Sequence, residues 1–264
     1  MLLGPIREIE ARGAHDLCRR VLIIASQVFR YGVATGRCAY DPAPALRGAL
    51  TPHRVEHRKA VKPEQVPTLM KAIRNYEAIG GERITKLGLQ LLALTCVRTS
   101  ELILAEWPEF RGLDGDDPTW EVPEGRTGRK GGGAHRVPLS RQAVAILREL
   151  KALGCGSRYI LPGRNIDKPM SNNTMLFALY RLGYKNRQTG HGFRSVASTH
   201  LNESGKWRPD VIEAALAHVE SSGSRKPYNH AKYKDELRLM LQAWADTVDA
   251  MVDGAKVLPF KLAG

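Results

Sequence analysis

Apolar residues recur at helical spacing along most of this chain. Intervals of three and four residues predict helices near 7–35, 84–105, 140–153, 171–182, 190–201, 208–219 and 232–252. The second of these is interrupted near 95–102. Two short segments, 119–122 and 135–139, predict strands that a glycine-rich hairpin joins. The pattern therefore predicts a chain that is mostly helical with a small β-hairpin.

A basic segment bounded by prolines divides the chain. Residues 51–62 show no sustained period, which indicates a linker whose positive charge suits a DNA backbone. Residues 1–50 predict one or two helices interrupted near Gly13, and so short a segment supplies little core. We expect it to be the remainder of a larger domain or to lean on a partner. Residues 63–255 form the main predicted domain, and 256–264 a tail.

Composition favours a nucleic-acid partner. Forty Lys and Arg against 27 Asp and Glu give a net charge of +13, spread along the whole length, as expected for a protein that lies along a polyanion. The 43% apolar fraction supports a core, but there is neither an apolar run that would span a membrane nor a signal peptide. The four Cys form no CxxC pair, which predicts reduced thiols in the cytoplasm and no metal site.

The segment 190–201 has the strongest chemical signal. Its apolar residues face a predicted core, while His191 and Arg194 project together from the first turn of the helix. A helix N-terminus already favours anions, and a guanidinium matches two phosphate oxygens at once. The pattern indicates a phosphodiester site. The alternative is a structural Arg paired with a carboxylate, with the His capping the helix.

Other polar residues lie in apolar or turn contexts and complete a coherent chemistry. Arg98 lies between two helices, where Thr99 or Ser100 is expected to be the N-cap and Glu101 an ion-pair partner. Transesterification of a phosphodiester needs a nucleophile, positive charge at the non-bridging oxygens and an acid for the leaving oxygen. It needs no metal and no cofactor. The candidate residues, in order, are Arg98, Lys130, His191, Arg194, His218 and Tyr228.

These residues lie in motifs that resemble those of the tyrosine recombinases, and specifically the phage and prophage integrases. The resemblance covers residues 60–250 in the family's order, so the motifs together are specific although each alone is short. It implies a mainly α fold with a small antiparallel β-sheet (α+β), the catalytic fold of this family. The matching motifs are Thr95–Leu102, His135–Ser140, His191–Arg194, Leu216–Glu220, Tyr228–Tyr233 and Gln242–Asp246.

The resemblance also implies a role for each residue. Arg98 and Arg194 would clamp the phosphate, and Glu101 would position Arg98. His191 and His218 would be accessory acid–base or hydrogen-bonding residues, Lys130 the general acid toward the 5′-hydroxyl, and Tyr228 the nucleophile that forms a 3′-phosphotyrosyl bond.

Three departures from the family pattern leave alternatives. Three glycines follow Lys130, so Arg129 or Arg126 are alternative hairpin cations. Pro227 restrains the loop before Tyr228, and Tyr233 is a rival nucleophile inside a helical segment. Finally, residues 1–50 match only the C-terminal part of the family's helical core-binding domain, so the chain is expected to be a fragment or a truncated prophage relic.

The implied function is integration or excision of a mobile element at double-stranded DNA attachment sites. It predicts a homotetramer on DNA that passes through a Holliday junction, a monomer without DNA, and accessory DNA-bending proteins. The expected location is the bacterial cytoplasm, at the nucleoid.

Other functions stay open. They are a catalytically impaired prophage-remnant DNA-binding protein, a type IB topoisomerase, which the motifs after His135 disfavour, and a helical nucleic-acid-binding module that forms no covalent adduct. Phospholipase-type phosphodiesterases would need paired His-x-Lys boxes, and none occurs.

Overall fold

A computed structural model describes residues 2–52, 59–126, 135–154, 156–217 and 233–254. The chain divides into two compact units, Met1–His57 and Arg58–Gly264. This division falls inside the predicted linker 51–62, while the identities of the flanking domains stay predictions. None of the helices in the described ranges is long and apolar enough to cross a membrane.

The N-terminal unit contains α1 (Leu3–Ala11), α2 (His15–Ala34) and the short α3 (Ala43–Leu46). The predicted interruption is confirmed, because Gly13 adopts a left-handed conformation, with φ 74°, between α1 and α2. Its small core consists of Ile6, Cys18, Leu22 and Ala43.

Most of the apolar residues that predict α2 lie outside this core, although Val21 packs against it. Within the N-terminal unit Leu17 is 47% exposed, Ile24 59% and Val28 63%. The periodicity predicted the helix correctly but not which of its faces this unit buries. An apolar stripe is suited to packing, and the expectation that this segment leans on a partner or a larger domain stays a prediction.

The C-terminal unit is mainly helical, and every helix predicted in it is confirmed, with ends shifted by a few residues. Ser140 and Ser171 are side-chain N-caps, accepting hydrogen bonds from the backbone N–H groups of Ala143 and Asn173. Its helices are α4 (Val66–Arg74), α5 (Arg83–Thr95), α6 (Thr99–Ile103), α7 (Arg141–Ala152), α8 (Asn172–Arg181), α9 (Gly192–Glu203), α10 (Pro209–Ala215) and α11 (Lys234–Asp253).

The helix α5 lies at the centre of this unit. It is apolar on nearly all sides and packs against α4, α7, α8, α9 and α11. It ends at Cys96, whose φ of 57° places the backbone in the left-handed region and turns the chain toward α6. The central helix therefore leads directly into the turn that carries Arg98.

The unit also contains a three-stranded antiparallel sheet. Its order is β1 (Phe110–Arg111), β2 (Thr119–Val122) and β3 (His135–Pro138), with Val122 opposite His135. The two predicted strands are confirmed. The first strand was not predicted, because two residues are too few to show an alternating pattern. The hairpin segment 127–134 lies outside the described residues.

The last helix, α11, packs on its own unit. Its predicted stripe is buried, and the Trp244 indole N–H donates to the carbonyl of Ala93 in α5 at 2.8 Å. Buried residues of the stripe are Leu237, Met240, Leu241, Trp244, Val248 and Met251.

Candidate active site

Arg98 lies immediately before α6 and is held by Glu101. The Arg98 Nη1 donates to Glu101 Oε1 at 2.9 Å, and the Arg98 backbone N–H donates to Oε2 at 2.7 Å. The Glu101 side chain is fully buried, whereas the Arg98 side chain is 29% exposed. The predicted ion pair is therefore confirmed. The N-cap is Arg98 itself, not Thr99 or Ser100, because Glu101 reaches back to its N–H.

Arg194 lies in the first turn of α9 and is only 2% exposed. Its Nη1 donates to the carbonyl of Cys96 and its Nη2 to the carbonyl of Leu216, each at 2.5 Å. Cys96 is two residues before Arg98, and Leu216 follows α10, two residues before His218. One guanidinium therefore joins three segments of chain that carry candidate residues.

Gly190 brings the loop before α9 against the start of α6. A Cβ at this position would lie 2.3 Å from Thr99 Oγ1 and 3.4 Å from a methyl group of Leu92, so the approach requires glycine. His191 follows as the half-buried N-cap residue of α9. The structure thus places the start of α9, which carries His191 and Arg194, against the turn that carries Arg98.

The chemistry of this place favours an anion. It combines the N-terminus of the twelve-residue helix α9 with two guanidinium groups, both fixed by hydrogen bonds. Burial raises the pKa of the Cys96 thiol to about 12, although the Arg194 charge acts in the opposite direction. Cys96 is therefore a neutral structural thiol at physiological pH and not a rival nucleophile.

Arg126 is committed to the base of the hairpin. It forms an ion pair with Glu109, whose other oxygen accepts from the Trp120 indole N–H at 2.9 Å. Both partners are largely buried, with 16% and 9% of their side chains exposed. This pairing disfavours Arg126 as the hairpin acid and leaves Lys130 or Arg129, which both lie outside the described residues.

Tyr233 has a structural environment. It precedes α11, is 7% exposed, and its ring lies 4.7 Å from the guanidinium carbon of Arg208. A buried phenol packed under an arginine is poorly placed to attack DNA, which disfavours it as nucleophile. His218, Pro227 and Tyr228 lie outside the described residues, so their roles stay predictions.

One buried polar residue beside the site was missed from the sequence. Gln188 is completely buried, and its side-chain oxygen accepts a hydrogen bond from the backbone N–H of Val61 at 2.8 Å. It lies between the predicted helices 171–182 and 190–201, and no pattern in the sequence signals a partner so far along the chain.

Family models match both parts of the chain. The model described as "Phage integrase family" matches residues 59–235, and that of the "Phage integrase central domain" matches residues 1–49. The integrase of Enterobacteria phage P4 is 36% identical over 262 residues, which is 94% of this chain and 58% of the relative. The putative protein IntB of Escherichia coli (strain K12) is 35% identical over 262 residues, 94% of this chain and 65% of the relative.

The chain thus spans about three fifths of the length of these two curated relatives, 58% and 65%. Solved structures share its fold at lower identity. A lambda integrase(75-356) dimer bound to a COC′ core site matches with a TM-score of 0.63 and 15% identity, over 99% of this chain and 81% of that one. A lambda integrase tetramer bound to a Holliday junction matches with a TM-score of 0.62 and 18% identity, over 86% and 65%.

Proposed function

The chain belongs to the phage integrase family, and on that premise we propose that it is a tyrosine-type site-specific recombinase. It cleaves one DNA strand at a time and rejoins it to a new partner, with the bond energy kept in a 3′-phosphotyrosyl ester. The biological outcome is the integration or excision of a mobile element. This agrees with the names of its relatives, which include the prophage integrase IntZ.

The observation that carries the proposal is the position of Arg194. Its guanidinium is held by the carbonyls of Cys96 and Leu216, and the first of these belongs to the turn that presents Arg98. Two fixed positive charges can neutralise the non-bridging oxygens as negative charge develops on phosphorus. Preorganised charge of this kind is the largest single contribution in many enzymes.

The reaction assigns one role to each remaining candidate. The Tyr228 oxygen forms a bond to phosphorus while the bond to the 5′-oxygen breaks, and Lys130 gives the leaving oxygen its proton. His191 and His218 act as accessory proton acceptors or hydrogen-bond donors to the phosphate. Rejoining reverses these steps, because a 5′-hydroxyl attacks the phosphotyrosyl bond and the tyrosine leaves.

The proposed substrate is double-stranded DNA at attachment sites. A net charge of +13 supports a long polyanionic partner. Structures with the same fold include lambda integrase bound to a core site and to a Holliday junction. We extend this to a homotetramer on DNA that forms from monomers, with accessory DNA-bending proteins, in the cytoplasm at the nucleoid.

A nicked suicide substrate tests the function. The protein is incubated with a pool of DNA duplexes drawn from tRNA-gene ends, in the presence of a metal chelator, and covalent adducts are mapped to a peptide. We expect an adduct at Tyr228 that Tyr228→Phe abolishes and Tyr233→Phe leaves intact. Tight, salt-sensitive binding without any adduct would instead favour the prophage-remnant DNA-binding protein.

A further inference from the structure

The loop between α8 and α9 is fastened to the end of the predicted linker. Gln188 accepts the Val61 N–H at 2.8 Å, and its own amide N–H donates to the Thr189 carbonyl at 3.2 Å. Both Gln188 and Val61 are buried, at 0% and 6% exposure. A hydrogen bond shielded from water in this way fixes the two segments relative to each other.

Two further contacts continue this fastening up to the start of α9. The Thr189 hydroxyl donates to the carbonyl of Lys59 at 3.3 Å and accepts the N–H of Gly192 at 3.1 Å. A Cβ at Gly192 would lie 2.6 Å from the Lys59 carbonyl oxygen and 2.9 Å from the Gln188 amide nitrogen. The first turn of α9 therefore lies directly on residues 59–61.

The opposite side of the same loop touches the other arginine segment. Gly190 lies against Thr99, the residue after Arg98, and Arg194 donates to the carbonyl of Cys96. The loop 188–192 is thus held between the linker end and the turn that carries Arg98. A shift of residues 59–61 would be transmitted through this loop to His191.

We propose that Gln188 is a positioning residue. By fixing the loop 188–192 to residues 59–61, it holds His191 and Arg194 where they can act on the phosphate. The proposal rests on the recombinase function above. If this is so, the rate of cleavage depends on the linker. Its last residues, 59–61, hold in place the loop that carries the phosphate-binding groups. Gln188 itself does not contact DNA in this scheme and acts only through the loop.

Substitution of Gln188 separates positioning from binding. Gln188→Met keeps the volume and removes both side-chain hydrogen bonds. We expect single-turnover cleavage of saturating suicide substrate to slow about tenfold or more, because displacing catalytic groups by about 1 Å has effects of up to 10²-fold. The Kd for DNA should change by less than about twofold, since affinity depends mainly on the many phosphate contacts of the basic chain that Gln188 does not position.

Two further variants control the measurement. Gln188→Glu retains an acceptor for the Val61 N–H but loses the donor to the Thr189 carbonyl and buries a carboxyl group, so it should recover only part of the rate. Gln242→Met is the matched control, because Gln242 also accepts a backbone N–H, that of Arg141 at 3.0 Å, but joins α11 to α7 away from the site. It should cleave at the parent rate. A Gln188→Met protein as fast as the parent would overturn the proposal.

Amide hydrogen exchange provides a readout independent of activity. In Gln188→Met, a peptide covering 189–194 should exchange about tenfold faster, while α11 keeps the parent rate. Unchanged exchange in 189–194 would reject the coupling whatever the cleavage result. If the parent forms no adduct, the recombinase function fails separately, and the exchange measurement still decides whether Gln188 fixes the loop.

Discussion

The two arginine segments of the site are held in opposite ways. Arg98 is fixed locally, by a carboxylate three residues further along the same chain segment, and stays 29% exposed. Arg194 is almost fully buried and is fixed by backbone carbonyls that are 98 and 22 residues away. The first arrangement depends on one side chain, and the second on the completed packing of three helices.

Substitutions in the two segments should therefore have different effects on the unit. A change at Glu101 should alter one ion pair and leave the rest of the unit intact. A change at Arg194 should disturb both the charge of the site and the contacts between α5, α9 and α10. The following experiments test that contrast, beginning with the largest expected effect.

Arg194→Ala should lower both activity and stability. Two buried carbonyls lose their donor, which costs about 1–3 kcal/mol each, so the free energy of unfolding should fall by about 2–6 kcal/mol. Cleavage should fall by about 10²-fold or more, as for removal of an oxyanion-hole donor. Urea unfolding and suicide-substrate kinetics measure the two losses. Unchanged unfolding would show that the carbonyl contacts do not stabilise the unit.

Gly190→Ala should separate the two arginine segments without removing charge. The new methyl group would meet Thr99 Oγ1 at 2.3 Å, and overpacking of this kind costs about 1–3 kcal/mol. The double variant Gly190→Ala, Thr99→Ala removes the close atom and should recover stability and cleavage.

Gly115→Ala is the matched control for this substitution, since a Cβ there meets nothing closer than 3.8 Å. Thermal unfolding and cleavage rates are compared for the parent, Gly190→Ala, the double variant and Gly115→Ala. Failure of the double variant to recover would mean that the loop does not depend on this contact.

Glu101→Gln should have a smaller and local effect. The amide oxygen still accepts one hydrogen bond, but the charge that holds the Arg98 guanidinium is lost, with an expected decrease of about 1–2 kcal/mol in the free energy of unfolding. Cleavage should slow about tenfold while DNA affinity stays close to the parent value. The control is Glu149→Gln, whose exposed pair with Arg83 should contribute less than about 1 kcal/mol.

Alkylation of Cys96 is expected to be slow, and its rate reports on the turn between α5 and α6. Because burial raises its pKa to about 12, Cys96 should resist iodoacetamide at pH 8, while the partly exposed Cys38 reacts before it. The folded pKa lies above the ordinary value of 9.0, so this thiol leaves stability unchanged below about pH 9 and lowers it as pH rises toward 12. Peptide mapping of the labelled protein measures the order in which the cysteines react. Early labelling at Cys96 would show that the turn opens.

The sequence predicted the features that are encoded locally. Helical periods gave nearly all the helices, and the spacing of Arg98 and Glu101 gave their ion pair. The carbonyl partners of Arg194 and the burial of Gln188 could not be predicted, because they arise from segments that only the tertiary fold brings together. The burial of an apolar stripe was equally ambiguous: that of α11 is buried, whereas Ile24 and Val28 of α2 are exposed within their unit.

The bridging of Arg194 also has a consequence for the newly made protein. A ribosome synthesises α5 first, then α9, and only later the residue whose carbonyl completes the bridge, Leu216. Contacts between distant segments form late, after the intervening chain has been made and packed. A nascent chain that stops before this residue lacks the finished arginine bridge. The anion site that the two arginines form is therefore completed only after translation has passed Leu216.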